Sequence, residues 1–288
     1  MIGFLFSFFR EHNTLDLQVV RATISDIARE AGAVLMSKYE QPHQEQTKKN
    51  VTDIVTEADL ASEAVVIPRL AQAFPDHHIV SEEGGGKGIG KPAEEAEYFW
   101  YVDPLDGTSN YASGLPLFCV SIGLADKNMK PLAGVIYDPF SDELYSAALG
   151  YGATRNGKPI HVSDETALGQ SMLCSGFPYD SFKSPDNNIR EWKAFTVKSR
   201  GLRRFGSIAL ELSYVASGRL EGLWERSVNA WDVMAGIILI REAGGTVTDY
   251  SGQESHTVHD GKQVLASNGL IHQQMLDVLD SAKSFTDS

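Results

Sequence analysis

Asp103-Pro104-Leu105-Asp106-Gly107-Thr108 sets two carboxylates three residues apart and follows the second with a glycine and a hydroxyl. The preceding run Tyr98-Phe99-Trp100-Tyr101-Val102 is short, aromatic and β-branched, so it predicts a strand that feeds a tight loop at Asp103. Such a loop can turn Asp103, Asp106 and the carbonyl of Leu105 toward one point. All-oxygen donors of this kind suit a hard cation such as Mg²⁺. The amides of Gly107 and Thr108 can then take the oxygens of a phosphate. Taken alone, the same six residues are better described as an Asp/Gly turn that caps a helix, and the rest of the chain overturns that reading.

Other segments add carboxylates of the same kind. Ser81-Glu82-Glu83 follows the apolar run His78-Ile79-Val80, Val55-Thr56-Glu57-Ala58-Asp59 opens a helical pattern, and Trp231-Asp232 opens another. Together with the block Trp100-Tyr101-Val102-Asp103-Pro104-Leu105-Asp106-Gly107-Thr108-Ser109-Asn110-Tyr111, these resemble the inositol monophosphatase family. That family comprises lithium-sensitive, Mg²⁺-dependent phosphatases of small phosphorylated metabolites, and the resemblance runs through nearly the whole chain.

The resemblance implies a fold and a site. The fold is a layered αβαβα sandwich of the inositol monophosphatase and fructose-1,6-bisphosphatase type, an α/β (α+β) architecture. Glu82, Asp103 and the carbonyl of Leu105 would hold one Mg²⁺, while Asp103, Asp106 and Asp232 would hold a second. A third, weaker ion would lean on Glu82 and on water near Asp59. Thr108 and Asp59 would orient the attacking water and accept its proton. Leu105, Asp106, Gly107, Thr108 and Asp232 would also meet the substrate, along with Gly206, Ser207, Ile208 and Glu225. Ile208 departs from the family pattern, where a small alanine is common, and a bulkier side chain there narrows the pocket. Each residue also has a plain structural role open to it: Asp59 and Asp232 as helix-start carboxylates, Thr108 as a turn hydroxyl, Glu225 as a solvated charge.

Composition bounds the alternatives. The 288 residues are 42% hydrophobic and 22% charged, ordinary for a globular protein with room for a sizeable core. Twenty-five basic residues face thirty-eight acidic ones, a net charge of −13 that disfavours nucleic acid and anionic membrane. An anionic substrate on so acidic a protein calls for local cations. The two cysteines, Cys119 and Cys174, form neither a disulfide framework nor a zinc pattern, which makes the cytoplasm the default compartment. None of the eight histidines has metal-site spacing, and His77-His78 are expected to end a strand. The apolar start Met1–Phe9 is too short to span a bilayer. It suggests an extension over 1–13 ahead of one phosphatase unit over 14–288, with halves at 14–160 and 161–288.

Periodicity places the elements. Thr14 is expected to cap a helix with Val20, Ile24, Ile27, Ala28, Ala31, Val34 and Leu35 on its apolar face. A second helix is expected to keep Leu60, Ala64, Ile67, Ala71 and Phe74 on one face, and to be kinked or locally perturbed at Pro68. Residues 84–97 look like an exposed loop, and residues 117–148 alternate as strands with a further tight turn at Asn156-Gly157. Later helices are expected over 207–216, 232–243 and 270–281. The phosphatase expectation leads with inositol-1-phosphate. Fructose-1,6-bisphosphate, 3′-phosphoadenosine 5′-phosphate and histidinol phosphate remain open, because Lys198, Arg200, Arg203 and Arg204 offer a basic cluster for a second anionic group. A binding protein without catalysis is the reading of another class. A homodimer is implied by the family alone.

Overall fold

The computed structural model describes residues 15–41, 46–47, 54–178 and 187–283. Thr14 and Met1–Phe9 lie outside them. Helix α1 (Leu17–Lys38) is capped by Asp16, whose carboxylate accepts from the amides of Gln18 and Val19. The short strands β1 (Gln46–Thr47) and β2 (Ile54–Val55) pair antiparallel, and helix α2 (Glu57–Ala73) follows. The large sheet then takes β3 (His78–Ser81), β4 (Gly88–Gly90), β5 (Tyr98–Asp106), β6 (Cys119–Asp126), β7 (Pro131–Asp138), β8 (Glu143–Ala148), β9 (Ala153–Arg155) and β10 (Lys158–Pro159). Helix α3 (Thr108–Ala112) sits between β5 and β6. The spatial order is β10-β9-β8-β7-β6-β5-β3-β4.

The second sheet holds β11 (Met172–Cys174), β12 (Gly201–Arg203), β13 (Gly222–Arg226), β14 (Thr246–Thr248) and β15 (Gln263–Ser267), in the order β12-β11-β13-β15-β14. Its helices are α4 (Ile189–Thr196), α5 (Ile208–Ala216), α6 (Ala230–Glu242), α7 (His256–His259) and α8 (His272–Ala282).

Three apolar cores stack these elements into five layers. Ile24, Ile27 and Leu35 of α1 pack on Trp100, Ile122 and Val135 of the large sheet. On the opposite side, Leu210 and Leu212 of α5 with Ile237 and Leu239 of α6 fill the space between Ile136 and Tyr145 of the large sheet and Leu223 and Ala266 of the small one. Phe195 of α4 and Met275 of α8 close the far side of the small sheet over Trp224 and Leu265. Both sheets are thus covered on both faces, which is why β6 and β7 read as near-continuous apolar runs. The approach of α6 is close: a Cβ at Gly134 would lie 2.7 Å from the Cα of Ala235. This is the αβαβα sandwich expected from the sequence.

Several local expectations change. α2 buries Ala58, Asp59, Ser62, Val66 and Leu70, while Leu60 is 52% exposed. The buried face includes two polar residues because they hydrogen-bond the active-site segment, and a hydropathy pattern cannot register that. Pro68 is exposed and α2 runs on through it. Within the expected loop 84–97, β4 adds an antiparallel edge strand to β3, and His78 opens β3 rather than ending it. β5 also extends further than expected: a register irregularity between Asp103 and Asp106 carries the strand to Asp106. The aspartates therefore sit on a bulged strand end, and the turn falls at Gly107.

Candidate active site

The bulge gives the strand end its chemistry. The carboxylate of Asp103 folds back to accept the amide of Leu105 at 2.9 Å. Ser62 of α2 donates to the carbonyl of Pro104 at 2.7 Å, so Pro104 and Leu105 present their carbonyls to different partners. Leu105's carbonyl lies 3.1 Å from the hydroxyl of Thr108. Gly107 takes φ +94°, a left-handed conformation that starts α3 at once and that an L side chain would resist.

Asp59 reaches the same place from α2. One carboxylate oxygen accepts from the amide and hydroxyl of Thr56 at 2.8 and 2.7 Å, completing a capping box. The other accepts from the hydroxyl of Thr108 at 2.9 Å. Asp232 is built in the same way, three residues into α6: one oxygen accepts from the amide of Asn229 at 2.7 Å. The capping role and a site-facing role thus divide between the two oxygens of each carboxylate. Glu82 follows β3, its amide bonded to the carbonyl of Val102 at 3.1 Å, which sets it beside Asp103.

Glu82, Asp103 and Asp232 converge. Each offers a carboxylate oxygen within 4.8 Å of the others, the geometry of a shared cation site. Asp106 stands outside this tight trio on the wall of the same cavity. Its Oδ2 accepts from the hydroxyl of Ser207 and the amide of Ala209, both at 2.7 Å, and lies 3.8 Å from the Cys119 thiol.

Electrostatics follow from this crowding. Burial, reinforced by Glu82, Asp106 and Asp232, pushes the Asp103 carboxyl well above the ordinary carboxylate range. Asp232 is raised in the same sense, by burial and then by Glu82 and Asp106. Burial lifts Asp106 to about 6, although the Ser207 and Ala209 hydrogen bonds hold it back. Carboxylates forced together without a neutralising cation resist ionisation. A divalent cation reverses that balance, and the donor set is all hard oxygen, so these residues fit Mg²⁺ or a similar ion.

The cavity they line is about 740 Å³. Glu82, Asp103, Leu105, Asp106, Gly107, Thr108 and Asp232 form one part of its wall, and Gly206, Ile208 and Glu225 another. Asp59 and Ser207 are each 1% exposed and stand behind the wall, supporting Thr108 and Asp106 respectively. Ser207 is thus turned to Asp106, where a substrate contact was expected. Glu225 is 5% exposed, which removes the solvated-charge reading of that residue. Burial and the neighbouring Glu211 raise its carboxyl. Of the basic cluster, Arg204 reaches the cavity and stacks over Phe177 at 5.3 Å.

Three participants were missed from sequence. Asn110 donates to the carbonyls of Leu117 and Phe205, Phe177 lines the cavity, and Glu211 is a carboxylate only 2% exposed. Glu211 left a signal: it is the lone charge in the mostly apolar Ile208–Ala216.

Comparison with known proteins agrees with this geometry. Residues 16–284 match the profile of the inositol monophosphatase family. The chain is 42% identical to an inositol-1-monophosphatase of Synechocystis over 92% of its own length and 90% of the relative's. It is 37% identical to the Nus factor SuhB of Haemophilus influenzae, covering 86% of this chain and 91% of that one. Among solved structures, the inositol monophosphatase of Anabaena superposes with a TM-score of 0.81 at 44% identity, over 93% of this chain and 97% of that one. The inositol-monophosphate-bound SaIMPase-II gives a TM-score of 0.74 at 27% identity, over 91% and 95%. No helix among the described residues is long and apolar enough to cross a membrane. The chain belongs to the inositol monophosphatase family of metal-dependent phosphatases and is a phosphoric monoester hydrolase.

Proposed function

We propose that this phosphatase hydrolyses a small phosphorylated polyol, inositol-1-phosphate first, with two or three Mg²⁺ ions. The observation that carries the reading is the meeting of Glu82, Asp103 and Asp232 within 4.8 Å at the strand end that also bears Thr108. Glu82, Asp103, Asp106, Asp232 and the Leu105 carbonyl would hold the ions. Bound there, they would acidify a water and neutralise the phosphate.

The chain's own groups do the rest. Thr108, already donating to Asp59, offers its oxygen lone pair to the attacking water and passes a proton toward that carboxylate. The amides of Gly107 and Thr108 orient the phosphate oxygens. Glu225 accepts a hydroxyl hydrogen of the polyol, and Ile208 bounds the ring.

The far wall also favours a monophosphate. A second phosphate, as in fructose-1,6-bisphosphate or 3′-phosphoadenosine 5′-phosphate, would face the buried carboxylates Glu211 and Glu225, with Arg204 alone of the basic cluster on the cavity wall. Burial already raises both carboxyls, and apart from Arg204 this wall supplies no positive charge for a second phosphate.

Phosphate release from inositol-1-phosphate, these two bisphosphates and histidinol phosphate, with and without Mg²⁺, tests the proposal. Mg²⁺-dependent turnover led by inositol-1-phosphate and depressed by millimolar Li⁺ is expected. Equal turnover in EDTA, or preference for a bisphosphate, would refute it.

The relatives named Nus factor SuhB favour a second reading, in which the chain also acts as such a factor. A catalytically dead variant that fully replaces the wild-type chain in cells needing it would support that role; strict dependence on turnover would exclude it.

A further inference from the structure

We propose that Glu211 is a positioning residue for the metal site, holding Asp106 in place through the turn Phe205-Gly206-Ser207. The proposal rests on the phosphatase reading above and adds to it a residue that acts on the ion site through Asp106.

Glu211 lies in the first turn of α5 and is 2% exposed. Its Oε1 accepts from the amides of Phe205 at 2.7 Å and Gly206 at 3.3 Å, two consecutive donors just ahead of the helix. The carbonyl of Phe205 is held on its other side by the Asn110 side-chain amide at 2.7 Å. Gly206 takes φ +78°, and a Cβ there would lie 3.2 Å from Asn110 Nδ2. The turn is therefore clamped between Asn110, next to the phosphate-facing Thr108, and Glu211 behind it.

What the clamp delivers is Ser207 and the start of α5. The Ser207 hydroxyl and the Ala209 amide both bond Asp106 Oδ2, which fixes the carboxylate rotation and leaves its other oxygen for the cavity. A carboxylate set this way needs its donors held to a fraction of an ångström. Removing Glu211 releases the two partly buried amides that tie the turn to the first turn of α5, so Ser207 and the Ala209 amide lose the tether that sets their position. Groups that orient a metal ligand in this way typically change metal affinity by about 10- to 100-fold when lost.

A helix-capping role alone would lower stability and leave metal affinity intact. Three variants separate these cases: Glu211→Gln keeps the acceptor oxygen and loses the charge, Glu211→Asp keeps the charge and loses the reach, and Glu211→Ala loses both. Mg²⁺ binding to the EDTA-treated, dialysed protein is measured by calorimetry. Inositol-1-phosphate turnover is measured as a function of Mg²⁺ well below the unfolding temperature.

The expected result is a Kd and a half-saturating Mg²⁺ concentration raised by about 10- to 100-fold in Glu211→Ala and Glu211→Asp. Saturating Mg²⁺ should restore most of kcat, and Glu211→Gln should stay near wild type. Wild-type Mg²⁺ affinity in Glu211→Asp would overturn the positioning role. So would a Glu211→Gln as impaired as the aspartate. If Glu211→Ala does not fold, the Gln and Asp variants decide the matter. A wild-type chain that binds no Mg²⁺ would defeat the phosphatase-site reading itself, a failure visible before any variant is compared.

Discussion

Asp106→Asn should make the metal-free protein more stable while removing its activity, two effects of opposite sign from one atom. Asp106 is 8% exposed, and its carboxyl is raised from 3.8 to about 6. A carboxylate with a raised folded pKa gives the folded state more protons than the unfolded chain between those values. The apoprotein therefore loses stability as pH rises through that window. A difference of about 2 pKa units corresponds to about 3 kcal/mol, fully lost above about pH 7.

Asparagine does not titrate, so the variant avoids this loss. Its carbonyl oxygen must face the Ala209 amide and the Ser207 hydroxyl, because the Ala209 N–H can only donate. The NH₂ group is then turned into the cavity, where it can neither ligate nor neutralise a cation.

In EDTA at pH 8 the variant should unfold about 5 °C above wild type, at about 1.7 °C per kcal/mol for a chain of this length. At pH 4 the two should unfold together. Adding Mg²⁺ should raise the wild-type Tm far more than the variant's, and turnover should fall by about 100-fold or more. Scanning calorimetry across pH, with and without Mg²⁺, gives all of these values. A variant less stable than wild type at pH 8 in EDTA would refute the electrostatic reasoning. An undiminished Mg²⁺ shift would refute the ligand role.

Thr108→Val keeps the shape and removes the hydroxyl that bonds Asp59; kcat should drop by about 10²- to 10⁴-fold while the Mg²⁺-induced Tm shift is kept, and near wild-type turnover would exclude the water-orienting role. Stabilisation of the wild type by Mg²⁺ should be smaller at pH 5 than at pH 8, because protons compete at the raised carboxyls of Asp103, Asp106 and Asp232; equal shifts in a thermal melt would contradict this. Gly134→Ala forces a Cβ to 2.7 Å from the Cα of Ala235, and the urea midpoint should fall by the equivalent of about 1 to 3 kcal/mol; an unchanged midpoint would show that α6 can retreat at no cost.

Much of the site was legible in the sequence because its chemistry is local. Asp103, Asp106 and Thr108 sit within one short segment whose apolar lead-in marks a strand. Asp59 and Asp232 announce themselves as carboxylates at helix starts, and in the structure each spends one oxygen on that cap. The ends of α5, α6 and α8 were readable within two residues for the same reason, since caps are made by neighbours in the chain, whereas α3, α4 and α7 were not foreseen.

Other features depended on surfaces that meet only after folding. The buried face of α2 was misread because Asp59 and Ser62 are polar residues whose burial is compensated by Thr108 and Pro104, more than forty positions away. β5 runs on to Asp106 because β6 is there to pair with it across the bulge. The partners of Asp106 lie 101 and 103 residues downstream, and Glu225 and Glu211 became buried carboxylates only when β13 and α5 closed the cavity. The sequence by itself determined which groups could bind a cation and where the chain would turn, because residue type and neighbour spacing carry that information. Which oxygens are committed to capping, which are left for an ion and which carboxylates are shielded from water was decided by tertiary structure. Burial and long-range hydrogen bonds are properties of packed surfaces, and no local stretch of chain encodes them alone.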